Sequence, residues 1–179
     1  MIFLLNALAG AQDSPPRYEA GIQFSGLRLG NPIGEGAAGL GARFGVNFNK
    51  YLTVEAEFNH FPAASSDFGE TEGVFGAKIG VRTEYGGIFF KARPGFLHFP
   101  ARGSLHGRGL GNPSEFVSDF GIVAEKYVGQ HFLLRLDAGD TVAAYGGQKI
   151  LDVSQPGGRV VTLGTTNNFQ VSVGVGIRF

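Results

Sequence analysis

Residues 169–179, at the C-terminal end of the chain, alternate strictly between apolar side chains and polar or glycine residues. Because successive side chains of a β-strand point to opposite faces, this pattern predicts a strand with one apolar face and one polar or empty face. The backbone groups of such a strand need hydrogen-bonding partners, so it must pair with other strands. The same alternation recurs in seven segments upstream, and no segment shows the period of a helix. The sequence therefore predicts an all-β protein.

The alternation divides the chain into eight predicted strands. Their apolar positions fall in residues 18–24, 40–48, 52–58, 75–85, 88–96, 116–124, 132–138 and 169–179. The connections are alternately short, at 49–50, 85–87 and 126–130, and long, at 30–36, 61–72, 100–114 and 146–167. Short turns at one end and long loops at the other are typical of transmembrane β-barrels. No run of about 20 apolar residues predicts a membrane-spanning helix.

Glycine and charge share one face of these strands, and this predicts which face points outward. The glycines of that face are Gly39, Gly41, Gly45, Gly76, Gly80, Gly95, Gly121, Gly139, Gly174 and Gly176. Glycine on a solvated surface costs chain entropy, whereas inside a narrow barrel it makes room for long neighbours. We therefore expect the apolar face to point outward, toward lipid. The alternative is a soluble, lipocalin-like barrel whose apolar face points inward.

Charges of both signs lie on the glycine face, and we expect them to form an interior network of ion pairs. Counted from the short turns, one level holds Glu55, Lys91, Arg135 and Arg82, the next holds Glu57, Arg93, Arg43 and Asp137, and Asp119 and Lys78 lie above. Such a network would fill the barrel instead of leaving a water-filled pore. The alternative is a solvated charged face, on which ion pairs contribute little to stability.

Aromatic residues of the apolar face cluster at both ends of the predicted strands. One group is Tyr18, Phe48, Tyr51, Tyr85, Phe132 and Phe179, near the short turns, and the other is Phe24, Phe58, Phe75, Phe96, Phe116 and Phe169, near the long loops. Two aromatic girdles around a mainly aliphatic band are favoured at membrane interfaces. Pro94 interrupts the fifth strand, where we expect a local bulge or kink.

Over residues 17–179, the eight-segment pattern and the C-terminal segment resemble the small bacterial outer-membrane β-barrels of the OmpA/OmpX-like superfamily, barrel domain only. The resemblance implies an all-β, eight-stranded antiparallel up-and-down transmembrane β-barrel. It also implies that Val173, Val175, Ile177 and Phe179 are the signal read by the outer-membrane assembly machinery, an alternating apolar segment that ends on an aromatic residue. The superfamily includes adhesins, structural anchors and lipid enzymes, so the resemblance is more specific for fold than for function.

The N-terminal residues predict export. Residues 1–11 form a short apolar run that ends in small residues, as does the end of a secretory signal peptide. Residues 12–16 are expected to be a flexible lead-in, and residues 17–179 the barrel. The predicted location is the outer membrane, reached by export through the inner membrane.

The composition argues against several kinds of site. A net charge of zero provides no basic surface for nucleic acid, and the absence of cysteine removes thiolate chemistry. The four histidines lack metal-ligand spacing. The glycine-rich segment 107–112 does not join a strand to a helix, as a phosphate-binding loop does. We therefore predict no catalytic, cofactor or metal site.

The predicted function is non-enzymatic and acts in envelope structure, adhesion or surface interaction through the long loops. The expected partners are outer-membrane lipid, lipopolysaccharide and the assembly machinery. Arg102, His106 and Arg108 make the third long loop mildly basic; they are either solvated or in contact with lipopolysaccharide phosphates. The sequence identifies no extracellular partner.

Two alternative functions remain open at the level of sequence. One is a narrow channel, which would require the interior charges to rearrange. The other is a membrane-embedded lipid-modifying enzyme. It would use Ser104 or Ser118 as the nucleophile, His98 as the base and Asp140 as the acid.

Overall fold

The computed structural model describes residues 15–30, 36–62, 69–98, 114–152 and 159–179. The strands within them are β1 (Tyr18–Arg28), β2 (Gly36–Asn47), β3 (Leu52–Phe61), β4 (Glu70–Arg82), β5 (Gly86–His98), β6 (Ser114–Val128), β7 (Phe132–Asp152) and β8 (Arg159–Arg178). No helix in the described ranges is long and apolar enough to cross a bilayer. The predicted signal peptide and most of the predicted lead-in lie outside the described residues.

The strands form a closed barrel in which each pairs antiparallel with its neighbours in sequence and β8 pairs with β1. This confirms the predicted all-β, eight-stranded up-and-down architecture. Cross-strand partners followed once around the barrel from Tyr18 return to β1 at Arg28, ten residues further along. Strands in a barrel with such a stagger tilt by about 35–45° from its axis, and eight of them enclose a space just wide enough for side chains.

Large apolar side chains cover the outside of the barrel. Leu40 and Phe90 are each 70 % exposed, whereas Lys91, the neighbour of Phe90, points inward and is 4 % exposed. A closed barrel of this kind suits hydrocarbon because the backbone groups of its strands are paired with one another. The predicted orientation, with the apolar face outward, is confirmed, and the barrel is transmembrane.

Exposed aromatic side chains lie near both ends of the strands. We call the end with the turns at residues 48–51, 83–85 and 129–131 the short-turn end, and the opposite one the long-loop end. Phe48 and Phe132 are 66 % and 62 % exposed near the short-turn end, and Phe75 and Phe116 are 60 % and 59 % exposed nearer the other. Three outward phenylalanines interrupt the otherwise mainly aliphatic band between them: Phe44, Phe90 and Phe120. Rings at these heights match the positions that aromatic residues prefer at membrane interfaces.

The structure corrects the predicted long loop at 146–167, most of which is β-strand. β7 continues to Asp152 and β8 begins at Arg159, and residues 148–152 pair with residues 159–163. The register shifts between Ala144 and Gln148, where Gly146 and Gly147 adopt positive φ angles of 60° and 80°. Two adjacent glycines look like the start of a loop in sequence, but here they form an irregularity within a longer strand. We call the paired residues 148–152 and 159–163 the β7–β8 ribbon.

Pro94 does not form the expected bulge. The β4–β5 register is the same on both sides of it, with Val74 opposite Gly95 and Ala77 opposite Ala92, and only the pairs between them are missing. On its other side, Pro94 remains in register with Ser118 of β6. The proline therefore interrupts one ladder locally, as expected for a residue without an N–H donor, and leaves the strand straight enough to keep its register.

A charge introduced on the outer face should destabilise the barrel more the deeper it lies in the apolar band. Leu136 lies between Ala124 and Val173, whereas Leu134 lies beside Lys126, whose ammonium is over the Tyr85 ring toward the short-turn end. We expect Leu136→Arg to lower the free energy of unfolding in detergent or lipid by about 2–4 kcal/mol, because the charge lies deep in the apolar band. Leu134→Arg should cost only about 0–1 kcal/mol, since its head group can reach the interface. Equal costs in denaturant titrations of the two variants would contradict the assigned depth.

Candidate functional site: the charged barrel interior

The ten charged side chains expected in the interior all lie inside the barrel, and none is more than 8 % exposed. They are Arg43, Glu55, Glu57, Lys78, Arg82, Lys91, Arg93, Asp119, Arg135 and Asp137. Each occupies an inward position of its strand, next to an outward apolar residue. The strand period of two is therefore sufficient to place these residues on one face.

The centre of the interior is organised around Glu55, which accepts hydrogen bonds from two arginines. Arg135 approaches it through Nη1 and Nη2, at 2.7 Å and 2.8 Å, and Arg93 through Nη1 at 2.8 Å. Arg93 also donates to Glu57 at 2.7 Å and is paired with Asp119. Planar guanidinium groups suit such shared and two-point contacts with carboxylates.

Lys91 belongs to the same network and connects β6 with β7 through two carboxylates that Arg93 and Arg135 also contact. Its Nζ lies 2.8 Å from Asp119 Oδ1 and 2.6 Å from Asp137 Oδ1. The neighbouring Gly121 provides the space, because a Cβ there would lie 2.8 Å from the Lys91 Cε. Glycine on this face thus allows a long side chain to lie against the inner surface of the barrel, as the sequence pattern suggested.

Lys78 lies at a different height from the predicted one. It was expected above the other charges together with Asp119, but it is paired with Glu19, at 3.0 Å, and with Glu125, toward the short-turn end. Arg82 also contacts Glu19, at 3.1 Å. The cause is the stagger of the barrel, which displaces residues at equal distances from their turns to different heights around the wall.

Sequence reasoning missed six charged residues of the described interior, each at most 6 % exposed: Glu19, Glu125 and Arg178 toward the short-turn end, and Glu70, Glu72 and Glu115 toward the long-loop end. All six lie near strand ends, beyond the stretch where the alternation is clearest. They obey the same parity as the residues that were found, so extending the inward face to the last residue of each strand would have included them.

An apolar cluster inside the barrel was also missed, and it lies toward the long-loop end. Its members are Leu27, Leu29, Phe61, Val74, Leu97, Val117, Ala143 and Tyr145. They occupy inward positions, so the expectation of a polar inner face does not hold there. The signal in the sequence is weak, because Leu97 and Val117 merely follow outward phenylalanines and make short apolar runs. Apolar packing in this place closes the barrel above its charged centre.

The short-turn end, by contrast, is open. A cavity of about 1030 Å³ there, the short-turn vestibule, is lined by Pro15, Pro16, Lys50, Arg82, Thr83, Glu84, Gly129, Gln130, His131, Arg178 and Phe179. Arg82 and Arg178 line its inner end, and both lie beside the Glu19 carboxylate, at 3.1 Å and 3.9 Å. Arg178 stacks over the Tyr127 ring at 3.6 Å, and Arg82 donates to the hydroxyl of the same tyrosine at 2.8 Å.

The side chains suggested for a lipid-modifying enzyme are not brought together in the described part of the chain. Ser118 pairs with Pro94, four residues along β5 from His98, which places it about 13 Å away. His98 instead has its Nδ1 at 2.8 Å from Ser114 Oγ. Asp140 lies between Phe120 and Phe169 on the outer face. Ser104, Arg102, His106 and Arg108 lie outside the described residues.

No group of three or more potential metal ligands occurs among the described residues.

The four residues expected to be read by the assembly machinery lie on the outer face of β8 at the seam with β1. Val173, Val175, Ile177 and Phe179 are 57 %, 51 %, 48 % and 57 % exposed. Their accessibility is compatible with recognition, which stays a prediction.

Removal of the central carboxylate should destabilise the barrel. We expect Glu55→Gln to lower the free energy of unfolding by about 3–5 kcal/mol, because it removes the negative charge that the buried guanidinium groups of Arg93 and Arg135 share and leaves the centre with an excess of positive charge. Glu84→Gln, in an exposed turn at the short-turn end, is the matched control and should have little effect. Coincident denaturation curves for wild type and Glu55→Gln would show that the interior ion pairs do not hold the barrel together.

No protein-family model matches the chain, and no curated protein sequence matches it. Solved structures are similar in fold. Neisserial surface protein A is 17 % identical with a TM-score of 0.55, and the alignment covers 90 % of this chain and 97 % of that one. Ail, the attachment invasion locus protein of Yersinia pestis, is 15 % identical with a TM-score of 0.54, over 92 % and 99 %. The outer membrane protein OprG from Pseudomonas aeruginosa is 10 % identical with a TM-score of 0.56, over 93 % and 97 %.

At these identities the likeness concerns the fold, and it agrees with the closed eight-stranded barrel. The chain therefore has the fold of the small eight-stranded outer-membrane β-barrels, as its resemblance to the OmpA/OmpX-like superfamily implied.

Proposed function

We propose that this protein is a non-enzymatic outer-membrane barrel, delivered by export through the inner membrane, that acts at the cell surface. Its role lies in envelope structure, adhesion or surface interaction. The long-loop end faces outward, in keeping with the usual arrangement of short periplasmic turns and longer extracellular connections. Lipid and lipopolysaccharide surround it, and the exposed apolar side chains of β8 are read by the assembly machinery.

The observation that carries this proposal is the β7–β8 ribbon. β7 and β8 have 21 and 20 residues, whereas β3 has 10. β6 accompanies β7 only as far as Ala144, and β1 accompanies β8 only as far as Phe169. Beyond these points the two strands pair only with each other among the described residues, and β7 continues for roughly 25 Å of strand length at the usual rise per residue.

A projecting ribbon offers two features that a binding partner can use. Its strand edges are unpaired among the described residues, and such edges accept an additional strand from another chain. Val160 near its tip is 62 % exposed. Among the proteins of similar fold, Ail is an attachment invasion protein and the Neisserial protein is a surface protein, which supports a surface role for this chain as well.

The filled interior argues against a pore. Ion pairs occupy the centre, and the apolar cluster lies above them toward the long-loop end. Eight strands leave room only for side chains, so a continuous water path would require both layers to separate.

The enzyme alternative lacks a complete set of groups in the described residues. A nucleophile and base need a third group that orients the base. His98 and Ser114 are in contact, but the residue beside His98 on β4 is Thr71.

Conductance measurements separate a filled barrel from a channel. We expect the wild-type protein in planar lipid bilayers to show no steady ohmic steps, because the charged centre and the apolar cluster block the axis. A general porin reconstituted in parallel serves as the positive control. Stable steps of uniform size from the wild-type barrel would favour the channel instead.

Shortening the ribbon tests the surface role. Replacing residues 149–162 with Asn-Gly, a pair suited to tight hairpins, retains Gln148 opposite Leu163 and leaves Tyr145 in the apolar cluster. We expect cells that display this variant to lose most of their adhesion to extracellular-matrix coatings and to one another. Heat-modifiable gel migration should show that the barrel still folds.

The matched control is Gln130→Ala, in an exposed turn at the opposite end, which should adhere as wild type does. Undiminished adhesion of cells carrying the shortened ribbon would mean that the ribbon is not the contact surface.

A further inference from the structure

A groove of about 520 Å³ crosses the outer face of the barrel at the seam between its first and last strands. The inward-facing residues Gln23, Gly41 and Gly174 contribute to its lining. Its outward lining is entirely apolar, and each of these side chains is at least 50 % exposed: Ile22, Phe24, Leu40, Leu134, Val173 and Val175. A groove left empty loses dispersion contacts along its walls, so in a bilayer an apolar chain fills it.

Arg28 is an exposed, outward-facing cation at the long-loop end of β1, on the same face of that strand as Phe24. Among the side chains that the structure describes, it is the only lysine or arginine on the outer face at this end. No described carboxylate oxygen lies within 4.0 Å of its guanidinium. The outward carboxylate in the same register row is Asp140, two strands away across Phe169, or about 10 Å at the usual strand spacing. Arg28 is therefore available to a partner from outside the chain.

Small residues connect Arg28 with the groove. Gly36 of β2 is the cross-strand partner of Arg28, and Gly26 and Ala38 form the next outward pair toward the groove. A Cβ at Gly26 or at Gly36 would have one neighbour within 4 Å, a backbone oxygen at 3.9 Å, so the space outside both is open. We call the depression that runs from Arg28 over these residues into the groove the β1 trough.

The β1 trough spans the depth of one lipid leaflet. Six residues separate Arg28 from Ile22, which is about 20 Å along the strand. At a tilt of about 35–45° this length covers a depth of about 15 Å, half of the hydrocarbon thickness of about 30 Å. Phe169, the partner of Arg28 on β8, belongs to the exposed aromatic girdle and places Arg28 at the membrane interface. A lipid held by its headgroup at Arg28 can therefore extend one chain along the trough to the middle of the bilayer.

We propose that the β1 trough binds one molecule of lipopolysaccharide through its lipid A part, which carries phosphates and acyl chains. The planar Arg28 guanidinium donates charge-assisted hydrogen bonds to phosphate oxygens. One acyl chain lies over Gly26 and Ala38 and fills the part of the groove nearest the long-loop end. The choice of lipid rests on the proposed function, which places the long-loop end in the leaflet that contains lipopolysaccharide.

Native mass spectrometry of the purified barrel, titrated in detergent with lipid A, tests the site. We expect a saturating one-to-one adduct, and a much weaker one with lipid A from which the phosphates have been removed. Arg28→Gln should weaken the apparent affinity by about tenfold or more, equivalent to about 1.4 kcal/mol or more. Gly26→Leu, which keeps the cation but fills the trough, should weaken it to a similar extent.

Two matched variants control for general effects of charge and of side-chain size. Lys126→Gln removes an exposed cation at the short-turn end. Ala92→Leu enlarges an exposed outward residue of β5, on the far side of the barrel from β1. Both should bind lipid A as the wild type does, and heat-modifiable gel migration should show that all four variants fold.

Equal affinities of the wild type and Arg28→Gln for lipid A would overturn the proposal, and so would undiminished binding to Gly26→Leu. Equal or tighter binding of phosphatidylglycerol in the same titration would overturn the choice of lipopolysaccharide as the occupant. The role of the β7–β8 ribbon is judged by adhesion and not by lipid binding, so the two proposals can fail separately.

Discussion

The structure depends on one requirement of hydrocarbon, which is that every backbone donor and acceptor within it finds a partner. A staggered, closed sheet of eight strands meets this requirement, and it tolerates Pro94 because the missing N–H interrupts only the ladder to β4. The same surroundings reverse the usual side-chain preference. Apolar residues such as Leu40 cover the outside, and most charged residues of the strands lie inside, Asp140 between Phe120 and Phe169 being an exception.

Confinement then determines how the interior is organised. Charged side chains that cannot reach water must be paired with opposite charges inside the barrel. Glu55, which accepts hydrogen bonds from both Arg93 and Arg135, is the central example. Glycines such as Gly121 free the volume that these long side chains need. The result is a barrel whose centre is held by charge and whose long-loop end is sealed by apolar packing. Arg43 is exceptional in resting on glycine backbone without a described counter-charge.

The period of two in the sequence was enough to predict the strands, their order and the inward face, so residues such as Asp137 could be placed without coordinates. It was not enough to predict height. Lys78 pairs toward the short-turn end because the ten-residue stagger, which no local pattern encodes, displaces the levels around the wall. The structure near the strand ends was harder still to predict from the sequence. Leu97 points inward although it is apolar, and Gly146 and Gly147 looked like a turn although β7 continues through them. In each case the outcome depends on contacts between strands distant in sequence.

The pairing of β8 with β1 joins the two extremes of the barrel sequence, with Glu19 opposite Arg178. Contacts between such remote segments are made late, since the entropy of closing a long loop must be overcome first. Until that seam forms, the carboxylates and guanidinium groups of the inner face remain accessible to solvent, and their transfer into hydrocarbon is unfavourable. Formation of the final ladder, dehydration of the charged centre and entry into the bilayer are therefore coupled. A partly closed barrel is unfavourable in water, because its apolar face is exposed, and in lipid, because its charged face is exposed.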